Sequence, residues 1–184
     1  GAVPLEKLEL TNISANPDGL FGSRRCRGLR ELVLEKCEFS ASSIKLLSEN
    51  TRDSLRTLNY EGERFSDMTP LLESPHLHFL RAGDVLPPPS GEFCFPNIRR
   101  IVISSSSIWQ DPEQSRDYFS TFSLTFPGIT DLTIEDSRHT YPPSIASSFP
   151  NMAIVRVPRR NVDFMSQILR GPRPNVKVVG ILKE

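Results

Sequence analysis

Few residues in this 184-residue chain stand close enough in sequence to do chemistry together. His76 and His78 form the one close histidine pair, and two imidazoles can begin a zinc site. Such a site takes three or four protein ligands, and no further cysteine, histidine or carboxylate is spaced to join these two. Glu135 and Asp136 form an acidic pair, but nothing near them in sequence would raise a carboxyl pKa toward neutrality. The serine run 104–107 follows an apolar segment and reads as a turn, because no G-x-S-x-G elbow surrounds it. No Gly-rich phosphate loop occurs. Cys26, Cys37 and Cys94 make no C-x-x-C pair, and three widely spaced cysteines read as reduced thiols of an intracellular protein. These residues predict neither an enzyme nor a cofactor or metal site.

The elements that carry them repeat. An apolar-x-x-apolar-x-apolar phrase occurs at Leu5/Leu8/Leu10, Leu29/Leu32/Leu34, Leu55/Leu58/Tyr60 and Leu77/Leu80/Ala82. It returns at Ile98/Ile101/Ile103, Ile129/Leu132/Ile134, Met152/Val155/Val157 and Val176/Val179/Ile181. Proline stands two residues before the opening apolar position at Pro75, Pro96, Pro127, Pro150 and Pro174, where it ends one segment before a strand begins. A period in the twenties, with one longer copy, predicts an α/β solenoid of about eight repeats in a single domain over 1–184. Its parallel sheet lines the concave face, and short helices or irregular returns line the convex one. One copy cannot bury its apolar face, so neighbours must stack.

The returns carry helix signals. Ser40 is a candidate N-cap for a helix to about Asn50 with Ile44 and Leu47 inward. Ser66 or Asp67 is a candidate cap for a turn carrying Met68, Leu71 and Leu72. Asn161 and Gly171 bracket a helix over Val162–Arg170. Asp111, Pro112 and Gln114 predict an N-terminus for a helix with Tyr118, Phe119 and Phe122 in the long fifth copy. These aromatics either fill a widened core or, with Trp109, form part of a binding face.

Charge narrows the partner. Lysine and arginine total 22 against 22 acidic residues, so the chain lacks the basic footprint that bulk nucleic-acid or acidic-membrane binding needs. The local clusters at Arg24, Arg25, Arg27 and Arg30, at Arg99 and Arg100, and at Arg159 and Arg160 read as solvated repeat edges. No apolar run reaches the length of a membrane span, and no signal-peptide pattern opens the chain. A cytoplasmic or nuclear location is the expectation.

The phrases LRELVLEKCEF (29–39), FPNIRRIVI (95–103) and FPGITDLTI (126–134) resemble the leucine-rich repeat superfamily, and specifically the irregular intracellular repeats of fungal and plant F-box proteins. The resemblance covers essentially the whole chain. Cys37 falls at the ninth repeat position, where the family places Asn or Cys against the backbone of the turn. The other copies carry Ile13, Glu63, Val85, Ser106, Ser137 and Arg160 there, so an asparagine ladder is absent. The resemblance implies a protein-recognition module that holds the substrate of an F-box-type ubiquitin ligase. A Skp-type linker would then dock on a helical module upstream, which these residues do not include. The first and last strand phrases lie near the termini without polar caps, which suggests part of a longer protein. The competing class is a structural interaction scaffold in a larger complex with no link to ubiquitin.

Alternation assigns the outward columns. The first is Lys7, Glu31, Thr57, Phe79, Arg100, Asp131, Ile154 and Val178. The second is Glu9, Val33, Asn59, Arg81, Val102, Thr133, Arg156 and Gly180. The third is Thr11, Glu35, Glu61, Gly83, Ser104, Glu135, Pro158 and Leu182. From these columns the candidate partner contacts are Phe79, Arg81, Arg100, Val102, Glu31, Val33, Glu35, Asn59, Thr133 and Arg156, with Trp109 added from the fifth copy. Phe79 beside arginines has the composition of an interface anchor. Alternatively, Phe79 is covered by the Pro87–Pro89 segment.

Overall fold

In the computed structural model, residues 3–61, 65–83, 93–104, 112–135, 141 and 143–182 are described, the side chains of 65–67 and 112–118 excepted. The chain is α/β and divides into two compact units, Gly1–Val85 and Leu86–Glu184.

The first unit carries β1 (Lys7–Thr11), β2 (Glu31–Glu35), β3 (Thr57–Glu61) and β4 (Phe79–Ala82). The strands are parallel and paired in sequence order. Leu32, Leu34, Leu58 and Leu80 point inward and are buried. The returns are α1 (Asp18–Phe21), a 3₁₀ turn (Arg24–Gly28), α2 (Ala41–Thr51) and α3 (Phe65–Leu72). Helix α2 starts where the sequence places it: the Ser40 hydroxyl accepts the Ser43 backbone N–H at 3.2 Å. It runs one residue past Asn50, and Ile44, Leu47 and Thr51 are fully buried. Helix α3 begins at Phe65, so Ser66 and Asp67 lie inside it and do not cap it, although Met68, Leu71 and Leu72 are buried as expected.

Each of the first two strands exits through a left-handed residue, Asn12 at φ 56° and Lys36 at φ 52°. The two occupy equivalent places, one past the paired Thr11 and Glu35. Their N–H groups continue the ladder, Asn12 to Glu35 O at 2.9 Å and Lys36 to Glu61 O at 2.7 Å. Cys37 follows this turn. Its thiol lies 3.3 Å from the carbonyls of both Leu10 and Glu35, a backbone-bonding position that suits a buried thiol.

The second unit carries β5 (Arg100–Ile103), β6 (Asp131–Ile134), β7 (Ile154–Pro158) and β8 (Lys177–Ile181), again parallel and in order. Helices α4 (Pro112–Thr125), α5 (Ile145–Ser148) and α6 (Val162–Arg170) return between them, with a 3₁₀ turn over Arg159–Asn161. Phe119 and Phe122 of α4 are buried and meet Phe149 edge-on, with centroids 5.9 Å apart in both pairs. Phe122 also stacks at a tilt on Phe126, which meets Phe95. Of the two roles open to these aromatics, the core role is the one seen at Phe119 and Phe122. Asn161 does not cap α6; its amide donates instead to the Tyr141 hydroxyl at 2.9 Å.

The prolines have a sharper role than ending helices. Each sits second in a four-residue turn whose first carbonyl accepts the N–H of the opening apolar residue. The donor–acceptor pairs are Leu77 to Ser74, Ile98 to Phe95, Ile129 to Phe126, Met152 to Phe149 and Val176 to Arg173, at 3.1–3.4 Å. Proline at the second position presets the φ such a turn requires.

One register expectation fails. Strand β8 pairs Ile154 with Lys177, Arg156 with Val179 and Pro158 with Ile181. The outward residues are therefore Lys177, Val179 and Ile181, not Val178, Gly180 and Leu182. The cause is a connection one residue shorter. Met152 and Val176 close equivalent turns, but the strand column begins two residues after Met152 and one after Val176. Gly180 consequently faces the return. A Cβ there would stand 3.0 Å from Arg159 Cγ and 3.1 Å from Val162 Cγ2, which is why a glycine fits.

Candidate functional site

On the first unit the outward columns are as the sequence reads them. Lys7 pairs with Glu31 and Glu31 with Thr57, then Phe79; Glu9 pairs with Val33, then Asn59 and Arg81; Thr11 pairs with Glu35, then Glu61. Neighbouring rungs stand about 4.8 Å apart, so Glu9, Glu31, Glu35 and Glu61 form one acidic field. Lys7 partly answers it, with its ammonium 3.0 Å from Glu31 and 3.6 Å from Glu9. The Glu31 hydrogen bond, then the charge of Glu31, hold the Lys7 pKa above its ordinary value. All three groups are well exposed, so the pairs add little stability and mainly set charge. Phe79 is half-buried on this face and Arg81 is exposed.

Val33 lies on the outward side, but it is only 6% exposed. A short branched side chain sits here between Glu31 and Glu35 on its own strand and between Glu9 and Asn59 on the neighbours. Val33 therefore forms the floor of the face, with little side-chain surface of its own to present. Val102 and Thr133 lie equally low in the second unit, each 5% exposed. They pair with each other, with Arg100 and Asp131 beside them. The Thr133 hydroxyl is buried without a hydrogen-bond partner among the described residues.

In the second unit Asp131 organises the charge. Its carboxylate accepts from the Arg156 guanidinium in a close ion pair and lies 3.8 Å from Arg100 Nε. Asp131 and Arg156 are mostly buried at the side chain. Asp131 belongs to the outward column that the alternation assigns, and its place between Arg100 and Ile154 on the ladder is the sequence signal for this pairing. Phe79 and Arg81 belong to the first unit, and Arg100, Val102, Thr133 and Arg156 to the second. Trp109 and the Pro87–Pro89 segment lie outside the described residues.

Away from the strand face, Lys45, Ser48, Glu49, Arg52, Pro70, Glu73 and Ser74 line a groove of about 370 Å³ between α2 and α3. Its two cations are balanced by two carboxylates, which gives a ligand no net charge to follow. His76 and His78 are exposed, and the His78 ring nitrogen Nδ1 lies 3.2 Å from the His76 carbonyl. Among the described residues no group of three or more histidine, cysteine or acidic side chains is placed to hold a metal, and no helix is long and apolar enough to cross a membrane. Cys26 and Cys37 are buried and Cys94 is exposed, all as free thiols.

Comparison of the chain with protein-family models finds no match, and comparison with curated proteins finds none either.

Proposed function

We propose that this chain is a protein-recognition module of the irregular leucine-rich repeat type, and that it holds the substrate of an F-box-type ubiquitin ligase. The observation that carries the recognition reading is the outward face of β1–β4. Buried leucines alternate there with Glu9, Glu31, Glu35, Asn59, Glu61 and Arg81, in register across parallel strands. An exposed, pre-formed sheet face with a half-buried aromatic at one side suits a protein partner, because ordering it costs little at the moment of binding. The ligase part of the proposal rests on the resemblance of the repeat phrases. A scaffold without a ubiquitin link uses the same face.

The test is co-precipitation of the full-length protein with a Skp-type linker, alongside a triple Glu31→Ala, Glu35→Ala, Asn59→Ala variant. Association with the linker and loss of the remaining partners in the variant support the proposal. Absence of the linker defeats the ligase reading and leaves the scaffold. Retention of every partner by the variant defeats the recognition face itself.

A further inference from the structure

The strand entrances of the first unit line up a second charged surface, of opposite sign to the face. Backbone hydrogen bonds run from Arg30 N–H to Glu6 O at 2.8 Å, from Arg56 N–H to Arg30 O at 2.9 Å and from His78 N–H to Arg56 O at 3.1 Å. These residues therefore occupy successive rungs, about 4.8 Å apart. The 3₁₀ turn that feeds β2 adds Arg24, Arg25 and Arg27 beside the same edge, where Leu5 N–H donates to Arg25 O at 2.9 Å. All of these cationic side chains are exposed.

Their lack of partners separates them from the paired cations of the outward strand faces. Lys7 is matched by Glu31, and Arg156 by Asp131. Arg24, Arg25, Arg27, Arg30 and Arg56 make no ion pair or side-chain hydrogen bond among the described residues. Five guanidinium groups are thus held along one edge by backbone geometry, with their donor forks unused among the described residues. A guanidinium fork matches a carboxylate with two parallel hydrogen bonds.

We infer that this edge is a docking surface for an acidic segment of a partner protein, separate from the outward strand face. Nucleic acid fits less well. Glu6 opens the row and Asp53 stands three residues before Arg56, the one ring on the row is the small imidazole of His78, and the chain as a whole is neutral. Discrete carboxylates spaced along an extended peptide can pass Glu6 and Asp53, whereas a continuous phosphate backbone meets repulsion at each.

The experiment measures fluorescence anisotropy of a short labelled Asp/Glu-rich peptide with the full chain, against a Gln/Asn counterpart and oligouridine RNA. Saturable binding of the acidic peptide alone is expected, weakening as salt rises. Arg30→Ala with Arg56→Ala should lower its affinity about tenfold. Arg159→Ala with Arg160→Ala, which alters exposed arginines of the second unit, should leave it unchanged. A circular-dichroism melt checks that both double variants fold. The inference is overturned by no saturation at about 1 mM peptide, by equal affinity in the Arg30/Arg56 variant, or by tighter binding of the RNA. Neither outcome bears on the strand-face triple variant, so the two surfaces stand or fall separately.

Discussion

Gly128 and Gly171 offer the same chemical change in one unit with opposite expected signs. Gly128 stands in the turn phrase FPGI, where the other proline-led turns of this unit carry Asn97, Asn151 and Asn175. In one of those, the Asn151 amide reaches back to the Pro127 carbonyl at 3.1 Å. At Gly128 the backbone itself makes the approach: an added Cβ would press into the Pro96 carbonyl oxygen and stand 3.1 Å from Ile98 O. Both obstacles are main chain, in a turn whose neighbours Ile98 and Ile129 are buried, so no flexible side chain can swing away. Overpacking of this kind costs about 1–3 kcal/mol, and the backbone contact puts Gly128→Ala at the upper end. Loss of glycine freedom in the unfolded chain returns about 0.4–1 kcal/mol, which leaves a net loss of about 2 kcal/mol. For a chain of this length the melting temperature then falls by about 4–8 °C. At Gly171 nothing lies within 4 Å of the added Cβ, and the backbone is right-handed at φ −80°. Gly171→Ala should therefore gain about 0.5 kcal/mol from the unfolded-state effect alone. Thermal melts followed by circular dichroism measure both. A Gly128→Ala variant melting within about 1 °C of the parent, or above Gly171→Ala, would refute the close-approach argument.

Three other expectations concern the left-handed turn at Lys36 and the thiols. Lys36 holds a left-handed φ of 52° that costs an L-residue about 1–2 kcal/mol; Lys36→Gly should raise the unfolding free energy measured by urea titration by a net of about 0.5–1 kcal/mol after the entropy glycine brings, and Asn12→Gly should do less because asparagine tolerates this region. Thiol titration of the native protein should label Cys94 quickly and Cys26 and Cys37 only on unfolding. Burial pushes the Cys26 thiol pKa up, so the fold favours its neutral form. That contribution is full below the unfolded thiol value of about 8.5 and is lost as pH rises through the folded one. Urea midpoints should accordingly fall from pH 8 upward, and Cys26→Ala should flatten that decline; an unchanged slope would remove the assignment.

How much of this was legible depends on which physical quantity a residue pattern encodes. Alternation encodes direction, and in β1–β4 every outward column emerges as the spacing of leucines places it. The prolines encode a backbone angle, and they mark five turns of one kind. Cys37 was readable through the repeat resemblance, which puts a backbone-bonding Asn or Cys at that position. Height was not readable. Val33, Val102 and Thr133 point outward yet are closed over, since the parity of a strand says nothing of how tall its neighbours stand. Nor was the register of β8 readable, because deleting one residue between turn and strand leaves the apolar phrase Val176/Val179/Ile181 intact while shifting which members of it face inward. The helix entrances at Ser66 and Asp67 failed for a related reason: good caps also occur inside helices when packing of Met68 and Leu71 extends the helix beyond them.

The two units dispose of charge differently, and this bears on where recognition concentrates. In the second unit Asp131 sits between two arginines and engages Arg156 closely, so both outward arginines there face the protein's own carboxylate and only Lys177, at the last strand, does not. A partner carboxylate approaching Arg156 would have to compete with a mostly buried intramolecular one, and exchanging one such pair for another yields little net affinity. In the first unit the outward face keeps four carboxylates across its three columns, with Lys7 beside two of them, and the strand entrances keep five guanidinium groups without an ion pair among the described residues. Charges left unneutralised by the fold are the ones that steer and select a partner. The acidic strand face and the basic entrances of one unit therefore offer two faces of opposite sign, and a partner with a basic and an acidic segment could engage both only in one orientation.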